Sequence, residues 1–473
     1  MLALQPSLTD FMRLCNAHGH QLLYHPASVE DIGRDTNSDR RDRTLARLPQ
    51  FTLLQEGAAC PWNVSPSSAN DECDNRILWA LEQNAAHALV TEDQGLHRKA
   101  RARGLQDRIY FIQSANDWLR RLHEPGEVTL PNIEDVELHT LNSQLSGSFF
   151  SSIRSDYPGF NTWFGRVARE GRRAWIYREN GKADIRAICI FAVQKDQRIN
   201  DEALVLEGSS LKLCTFKVGE EVRGRKIGEL FLRAAFQFAS THRCAHIFLH
   251  VNPRQQDHLK NLIEDFGFAE AGRYNGDIVF VKQHPIKAPA VQMDAFEYVR
   301  RFYPHHISGN DVQKFIVPII PRYHDILFPD YAIPGKTLPE GHPQQHVGNA
   351  IKLAYLSNSV SKLPKPGDVV IFYRSHDSKA VTTLGVIERY EANGRADEIA
   401  RLVSRRTVYT ETEIADMTRP ETKVMLFRWI RHFETPIGYQ QLLRQLRVIR
   451  GNIQSITQIS DESFSRILDA ASR

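Results

Sequence analysis

The most regular hydrophobic patterning lies in the middle of the chain. Leu211, Leu213 and Thr215 alternate with Lys212, Cys214 and Phe216, the period-two pattern of a strand. A polar, basic loop follows from Gly219 to Arg225. Ile227, Leu230, Phe231 and Ala234 then fall at helical spacing, which predicts a helix from Ile227 onward. Residues 245–251 read as a second, buried strand, and Asn252-Pro253 opens a helical run through Leu259, Leu262 and Ile263 that ends at Asp265-Phe-Gly-Phe268. Upstream, 136–141, 174–177 and 185–193 read as strands, the last two joined by an Asn180-Gly181 turn.

Weaker patterns flank this region. Ser7 is placed to cap a helix with Leu8, Phe11, Met12 and Leu14 inward. Short strands are predicted at 21–24 and 86–90, and helices at 71–81 and 94–105. Near the other end, 315–321 predicts an edge strand, because proline cannot donate to a ladder. Further strands are predicted at 368–375, 384–388 and 424–427. Pro- and Gly-containing linkers at 123–131 and 287–290 separate three regions. The length of 473 residues agrees with that division, at about 150 residues per domain.

Composition narrows the class. A net charge of +4 is a weak signal over the whole chain, and 42% hydrophobic residues suffice for globular cores. The six cysteines are scattered without a C-x-x-C pair, so neither a zinc ribbon nor a disulfide framework is suggested. With no signal peptide and no long apolar run, a soluble, cytoplasmic protein without a membrane partner is expected. The oligomeric state stays open.

The central loop carries the clearest chemistry. Backbone N–H groups ending at a helix N-terminus suit a pyrophosphate. Arg223, Arg225 and Lys226 add positive charge, and Gly224 and Gly228 permit close approach of the backbone. Strand, Arg223-Gly-Arg-Lys-Ile-Gly228 loop, helix, strand, Asn252, helix and Gly267-Phe268 follow in an order that resembles the acetyl-CoA-binding core of GNAT N-acetyltransferases. The resemblance covers roughly 136–283, within a domain placed at 133–285. It implies acetyl-CoA held by Phe216, Lys217, Val218, Arg223, Gly224, Arg225, Lys226, Ile227, Gly228 and Asn252, with direct acyl transfer to an amine. Backbone N–H groups before Gly219 would hold the carbonyl oxygen and the pantetheine arm. Glu207 and Glu220 are candidates for the base. Tyr274 is the candidate acid, since Ile263 stands where many family members carry a tyrosine. A second departure places Lys226 at the first glycine of the family's loop.

Residues 1–122 resemble the PIN family of metal-dependent ribonucleases, through the strand-end Thr91-Glu-Asp93, the acidic helix start at Asp71–Asp74 and the turn at Glu30-Asp31. The resemblance implies an α/β/α layer and Mg²⁺ or Mn²⁺ at Asp31 (or Glu30), Asp74 and Asp93. The family's opening strand and its Asp are missing. The same carboxylates also suit helix caps and solvated turns. Residues 312–473, through Lys365-Pro-Gly-Asp368 before an apolar strand and Gly385-Val386 in the next, resemble the ASCH or EVE group of PUA-like domains. That implies a β-barrel with a nucleic-acid cleft at Lys352, Tyr373 and Arg374.

The expectation is therefore a multidomain α/β and α+β protein: a PIN-like layer, a GNAT-type mixed sheet flanked by helices and a PUA-like barrel. The function expected first is acetyl-CoA-dependent N-acetyl transfer directed to RNA or tRNA. The alternative is an RNA-binding or RNA-processing protein whose GNAT-like domain has lost its chemistry.

Overall fold

The computed structural model describes residues 6–472 except 56, 63–65, 124–132, 180–181, 224, 254–256, 332–349, 404–405, 407–408 and 419–420. The chain divides into two compact units. One comprises 1–128 with 395–418, the other 129–394 with 419–473. The linker at 123–131 and the Asn180-Gly181 turn fall almost wholly or wholly outside the described residues.

The first unit contains α1 (Pro6–Ala17), β1 (Leu23–Tyr24), α2 (Pro26–Gly33), α3 (Ser38–Leu45), β2 (Thr52–Leu53), α4 (Ala69–Glu82), β3 (Leu89–Val90), α5 (Gln94–Ala102), β4 (Ile109–Tyr110) and α6 (Ile112–His123). Helical spacing puts Phe11, Leu14 and Cys15 of α1 in one cluster with Ala115 and Leu119 of α6. A second cluster joins Leu78, Leu96, Ala100 and Ile109. Instead of one continuous sheet, the described strands form two separate parallel pairs, β1 with β2 and β3 with β4.

The second unit begins with a seven-stranded sheet. Its elements are β5 (Ile133–Glu137), α7 (Ser151–Asp156), α8 (Phe160–Arg169), β6 (Arg173–Arg178), β7 (Ile185–Arg198), β8 (Val205–Val218), α9 (Ile227–Thr241), β9 (His246–Val251), α10 (Asp257–Asp265), β10 (Ala269–Tyr274), β11 (Asp277–Gln283) and α11 (Ala295–Phe302). The strand order is β10-β11-β9-β8-β7-β6-β5, and only β8 and β9 run parallel. Side-chain alternation divides the sheet. Leu211, Leu213, Ile247 and Leu249 face α9 and α10. Ile176, Ile188 and Ile190 face Phe150, Phe160 and Phe164. The aromatic-rich segment around α7 and α8 is thus largely core.

The remaining elements are β12 (Lys314–Ile319), α12 (Pro321–Leu327), β13 (Lys352–Ser357), β14 (Val369–Arg374), β15 (Ala380–Asn393), α13 (Ala396–Val403), α14 (Glu411–Met417), β16 (Thr422–Gly438), β17 (Thr457–Ile459) and α15 (Asp461–Ala471). Helices α13 and α14 belong to the first unit. The strands pair in the order β13-β16-β15-β14-β12-β17, and no pairing among the described residues closes this sheet into the expected barrel. The predicted edge strand is interior: β12 lies between β14 and β17. Pro318 is accommodated because β17 pairs only with Lys314, Phe315 and Ile316, so no partner on that side needs its missing N–H.

One apolar core runs through both sheets of the second unit, from Phe231 and Ile263 to Val369 and Ile430. Ten residues of α9 are buried, and the Tyr303 hydroxyl donates to the Trp429 carbonyl at 2.8 Å. Among the described residues, no helix is long and apolar enough to cross a membrane.

Candidate functional site

The site begins where two parallel strands part. β8 pairs with β9 from Ser210–His246 to Leu213–Leu249 and no further. β8 continues to Val218 and keeps its other edge against β7. From Cys214 to Val218, backbone groups on the β9 side of the strand therefore lack a ladder partner. Every second residue of that edge offers an N–H and a C=O to whatever lies in the gap. An amide-rich, extended ligand matches such an edge.

The gap leads to the start of α9. Gly219 bonds from its N–H to the Arg186 carbonyl at 2.8 Å, and an added Cβ would lie 2.8 Å from that same oxygen. A short turn at Glu220–Val222 buries Val222. The N–H groups of the first turn, including Ile227, Gly228 and Glu229, have no carbonyl one turn back to bond. They form the positive end of the helix dipole, suited to phosphate.

The loop cations are largely engaged elsewhere. Arg223 lies 3.5 Å from Glu220, and Arg225 lies 3.3 Å from Glu179. Lys226 occupies the left-handed region at φ +60°, and its Nζ donates to the Lys352 carbonyl at 3.2 Å. Lys217 turns to the opposite face of the sheet, bonding the Phe149 carbonyl and, at 2.7 Å, the Ser152 hydroxyl. Burial pushes its pKa down. Phe216 and Val218 pack toward α9, with Phe216 edge-on to Phe231 at 5.6 Å. Gly228 is a packing position: a Cβ there would approach Leu262 to 2.8 Å and Phe216 to 3.6 Å. Gly224 lies outside the described residues.

A polar group gathers at the open end of β9. Asn252 directly follows the strand, and its side chain bonds the Tyr157 hydroxyl. That hydroxyl also donates to Asp277 at 2.9 Å, joining the α7–α8 connection to the β10–β11 hairpin. Burial first, and then Asp277, push the Tyr157 pKa up. The His250 ring lies 5.1 Å from that of Tyr274. Burial, followed by the charge of Lys212, lowers His250 to about 4, so its imidazole is neutral near pH 7. In the sequence Tyr157 stands out only as one of the aromatics between residues 146 and 164, a segment that the GNAT resemblance places beside the acceptor and that otherwise reads as core, and His250 and Asp277 are single polar residues within or beside strands.

The expected acid and base are scattered. Glu207 is exposed on β8, seven residues before Cys214, or about 23 Å along an extended strand. The Glu220 side chain is 84% exposed beside Arg223. Of the three, only Tyr274 lies by the open end of β9. Ile263 is fully buried in the apolar core and supplies no hydroxyl.

The expected nucleic-acid cleft does not assemble. Lys352 pairs with Asp265 at 2.5 Å and with Glu388 at 3.6 Å. Tyr373 is 4% exposed and belongs to the core. Arg374 is 1% exposed and held by Asp325 and by Asp377 at 2.7 Å. These charges are consumed within the fold.

The expected Mg²⁺ or Mn²⁺ site does not fit its residues either. Asp93 caps α5, accepting from the Leu96 N–H at 3.0 Å, and Asp31 pairs with Arg34 at 2.9 Å. Lys99 places its ammonium 2.7 Å from Asp74 and 2.5 Å from Asp71. Burial raises the Asp74 pKa, with Asp93 and Asp31 adding repulsion, so the carboxylates do approach one another. The cation among them is the chain's own. No group of three metal-ligating side chains occurs among the described residues.

No curated protein matches the chain. Similar solved structures include the ASCH protein from Zymomonas mobilis, at 14% identity over 33% of this chain and 94% of that one, TM-score 0.26. They also include the IAA acetyltransferase from Bacillus cereus, at 13% identity over 32% and 99%, TM-score 0.24. The PaiA N-acetyltransferase from Thermoplasma acidophilum in complex with coenzyme A matches at 14% identity over 32% and 99%, TM-score 0.23. Residues 138–268, which contain the parted strands, the loop and α9, match the acetyltransferase (GNAT) family and form a GNAT acetyltransferase domain.

Proposed function

We propose that the second unit is an acetyl-CoA-dependent N-acetyltransferase acting on an amine. The observation that carries this reading is the unpaired edge of β8 from Cys214 to Val218, continuous with the first turn of α9. The edge matches the amides of a pantetheine arm, and the helix start matches a pyrophosphate. The bound cofactor supplies an activated acetyl thioester.

The chain's own groups then have defined tasks. N–H groups of β8 polarise the acyl carbonyl and stabilise negative charge developing on its oxygen. The amine enters from the face bearing Tyr157, Asn252, Tyr274 and Asp277. Asp277 attracts the protonated amine, and the attacking form is neutral, so a proton leaves to water or to a group in this cleft. The carbon–nitrogen bond forms as the carbon–sulfur bond breaks. Tyr274 is the nearest of the expected candidates for returning a proton to sulfur, because Ile263 has none to give. The direction to RNA or tRNA comes from the resemblance of residues 312–473 to PUA-like domains and of residues 1–122 to PIN domains, and the engaged side chains of Lys352, Tyr373 and Arg374 add no support to it.

Calorimetric titration of the full chain with acetyl-CoA, beside free adenosine, tests the proposal. Saturable binding of acetyl-CoA at micromolar strength, without comparable adenosine binding, is the expected result. Absence of binding overturns it. The alternative, a domain that binds without transferring, draws its support from Ile263 and Lys226. Thiol release that stays at the hydrolytic background across a panel of amines would select it.

A further inference from the structure

At the N-terminal end of α9 the C-terminal sheet makes contact through Lys352. Lys352 opens β13, and its backbone N–H donates to Glu229 Oε1 at 2.5 Å. Its backbone carbonyl accepts from Lys226 Nζ at 3.2 Å. Lys226 is the N-cap of α9 and Glu229 lies in its first turn, so both main-chain groups of Lys352 grip the same helix start.

Lys352 is itself held firmly. Its ammonium pairs with Asp265, the last residue of α10, at 2.5 Å. Arg428, opposite Lys352 in the β13–β16 register, is fully buried and donates to the Asp265 carbonyl at 3.1 Å. Glu388 lies 3.6 Å from Lys352 and 3.5 Å from Arg428. Two acids and two cations from α10 and three strands thereby fix the position of the Lys352 backbone.

The grip bears on the conformation of Lys226. At φ +60° it adopts a backbone geometry that glycine reaches readily and side-chain-bearing residues rarely do. Its ammonium is directed to the Lys352 carbonyl. Glu229, 8% exposed, places its charge at the favourable end of the helix while accepting the Lys352 N–H.

Resting on the acetyltransferase reading above, we propose that the C-terminal sheet is a built-in part of the pyrophosphate loop. Lys226 and Glu229 are positioning residues tethered to the Lys352 backbone. The tether holds a lysine where the loop needs a left-handed residue, and the phosphate is met by main-chain N–H groups. The Lys226 ammonium is a strut and not a phosphate ligand.

The test is coenzyme A affinity of the full-length protein by calorimetry at two salt concentrations, with thermal unfolding recorded for each variant. Lys226→Gly removes the ammonium but adopts φ > 0 freely, and its dissociation constant is expected within about threefold of the parent, with the same salt dependence. Lys226→Ala loses the tether without that freedom and is expected to bind about tenfold more weakly. Glu229→Gln keeps an acceptor for the Lys352 N–H and should bind as the parent does, whereas Glu229→Ala should follow Lys226→Ala. A Lys226→Gly variant that binds as weakly as Lys226→Ala, with a flatter salt dependence, would make the ammonium a phosphate ligand and overturn the proposal. So would Glu229→Ala and Lys226→Ala variants that bind like the parent. A parent protein that binds no coenzyme A would instead remove the acetyltransferase reading itself.

Discussion

The guanidinium of Arg233 lies over the indole of Trp429, 3.7 Å from the ring centroid. One residue belongs to α9 and the other to the C-terminal strand β16. The same guanidinium pairs with Asp330 at 2.5 Å, and His432 approaches that carboxylate at 3.2 Å. The Arg233 side chain is 2% exposed, so its charge is almost wholly withdrawn from water. Such a charge is tolerated only with a close counterion and an aromatic face.

Arg233→Ala should therefore destabilise the second unit by about 3–5 kcal/mol, because it leaves Asp330 buried without its cation. Urea unfolding followed by tryptophan fluorescence measures the loss. Replacing both Arg233 and Asp330 with apolar residues of similar size should recover much of it. A single-variant loss of only a few tenths would mean the pair carries little of the packing between the two sheets.

The neighbouring helix leaves no room for a side chain at Gly228. Its missing Cβ would lie 2.8 Å from Leu262. Gly228→Ala is expected to cost about 1–3 kcal/mol through overpacking and to weaken coenzyme A binding by displacing the helix start. Leu262→Ala in the same chain should restore part of both. If the double variant is no better than Gly228→Ala alone, the space over Gly228 serves the ligand directly.

The legible part of this molecule was the part governed by local periodicity. Leu211, Leu213 and Leu230 lie inward as their spacing requires, and residues 227–241 form the expected helix. Charges whose partners are distant in sequence could not be read that way. Arg374 looks like a surface cation until β14 brings it beside Asp325, and Lys352 until α10 brings Asp265 against it. Asp74 looks like a metal ligand until the next helix supplies Lys99. Pro318 suggested an edge strand, but the shortness of β17 makes room for it inside the sheet. The parting of β8 and β9 is a relation between strands, and neither strand's own pattern contains it.

Buried imidazoles set an acid limit to stability. Burial, with neighbouring cations such as Lys212 and Arg374, lowers His250 to about 4, and His284 and His324 to about 3. An unfolded histidine takes up its proton near pH ~6.5. Below that value the unfolded chain binds more protons than the folded one, so stability falls as pH decreases from about 6.5 toward these lowered values. Above it these groups contribute no pH dependence. Denaturant midpoints between pH 7.5 and 4.5 should decline steadily, and the decline should be shallower in His324→Gln. A flat profile would require these histidines to titrate normally.

The first unit provides a prediction about cations. Lys99 already neutralises Asp71 and Asp74, and Asp31 and Asp93 have their own partners. A divalent ion would have to displace the ammonium and strip these carboxylates of bonds already made. Millimolar Mg²⁺ or Mn²⁺ should therefore leave the thermal unfolding of the parent protein unchanged. Lys99→Ala removes the internal cation while Asp74, whose proton affinity is already raised by burial and by Asp93 and Asp31, gains excess negative charge. Repulsion among those acids then favours uptake of a metal. Mn²⁺ should raise the unfolding temperature of Lys99→Ala and not that of the parent, with metal binding confirmed by paramagnetic broadening. Equal stabilisation of both proteins would restore a metal site that Lys99 does not block, and no stabilisation of either would show that these carboxylates are structural even without the lysine.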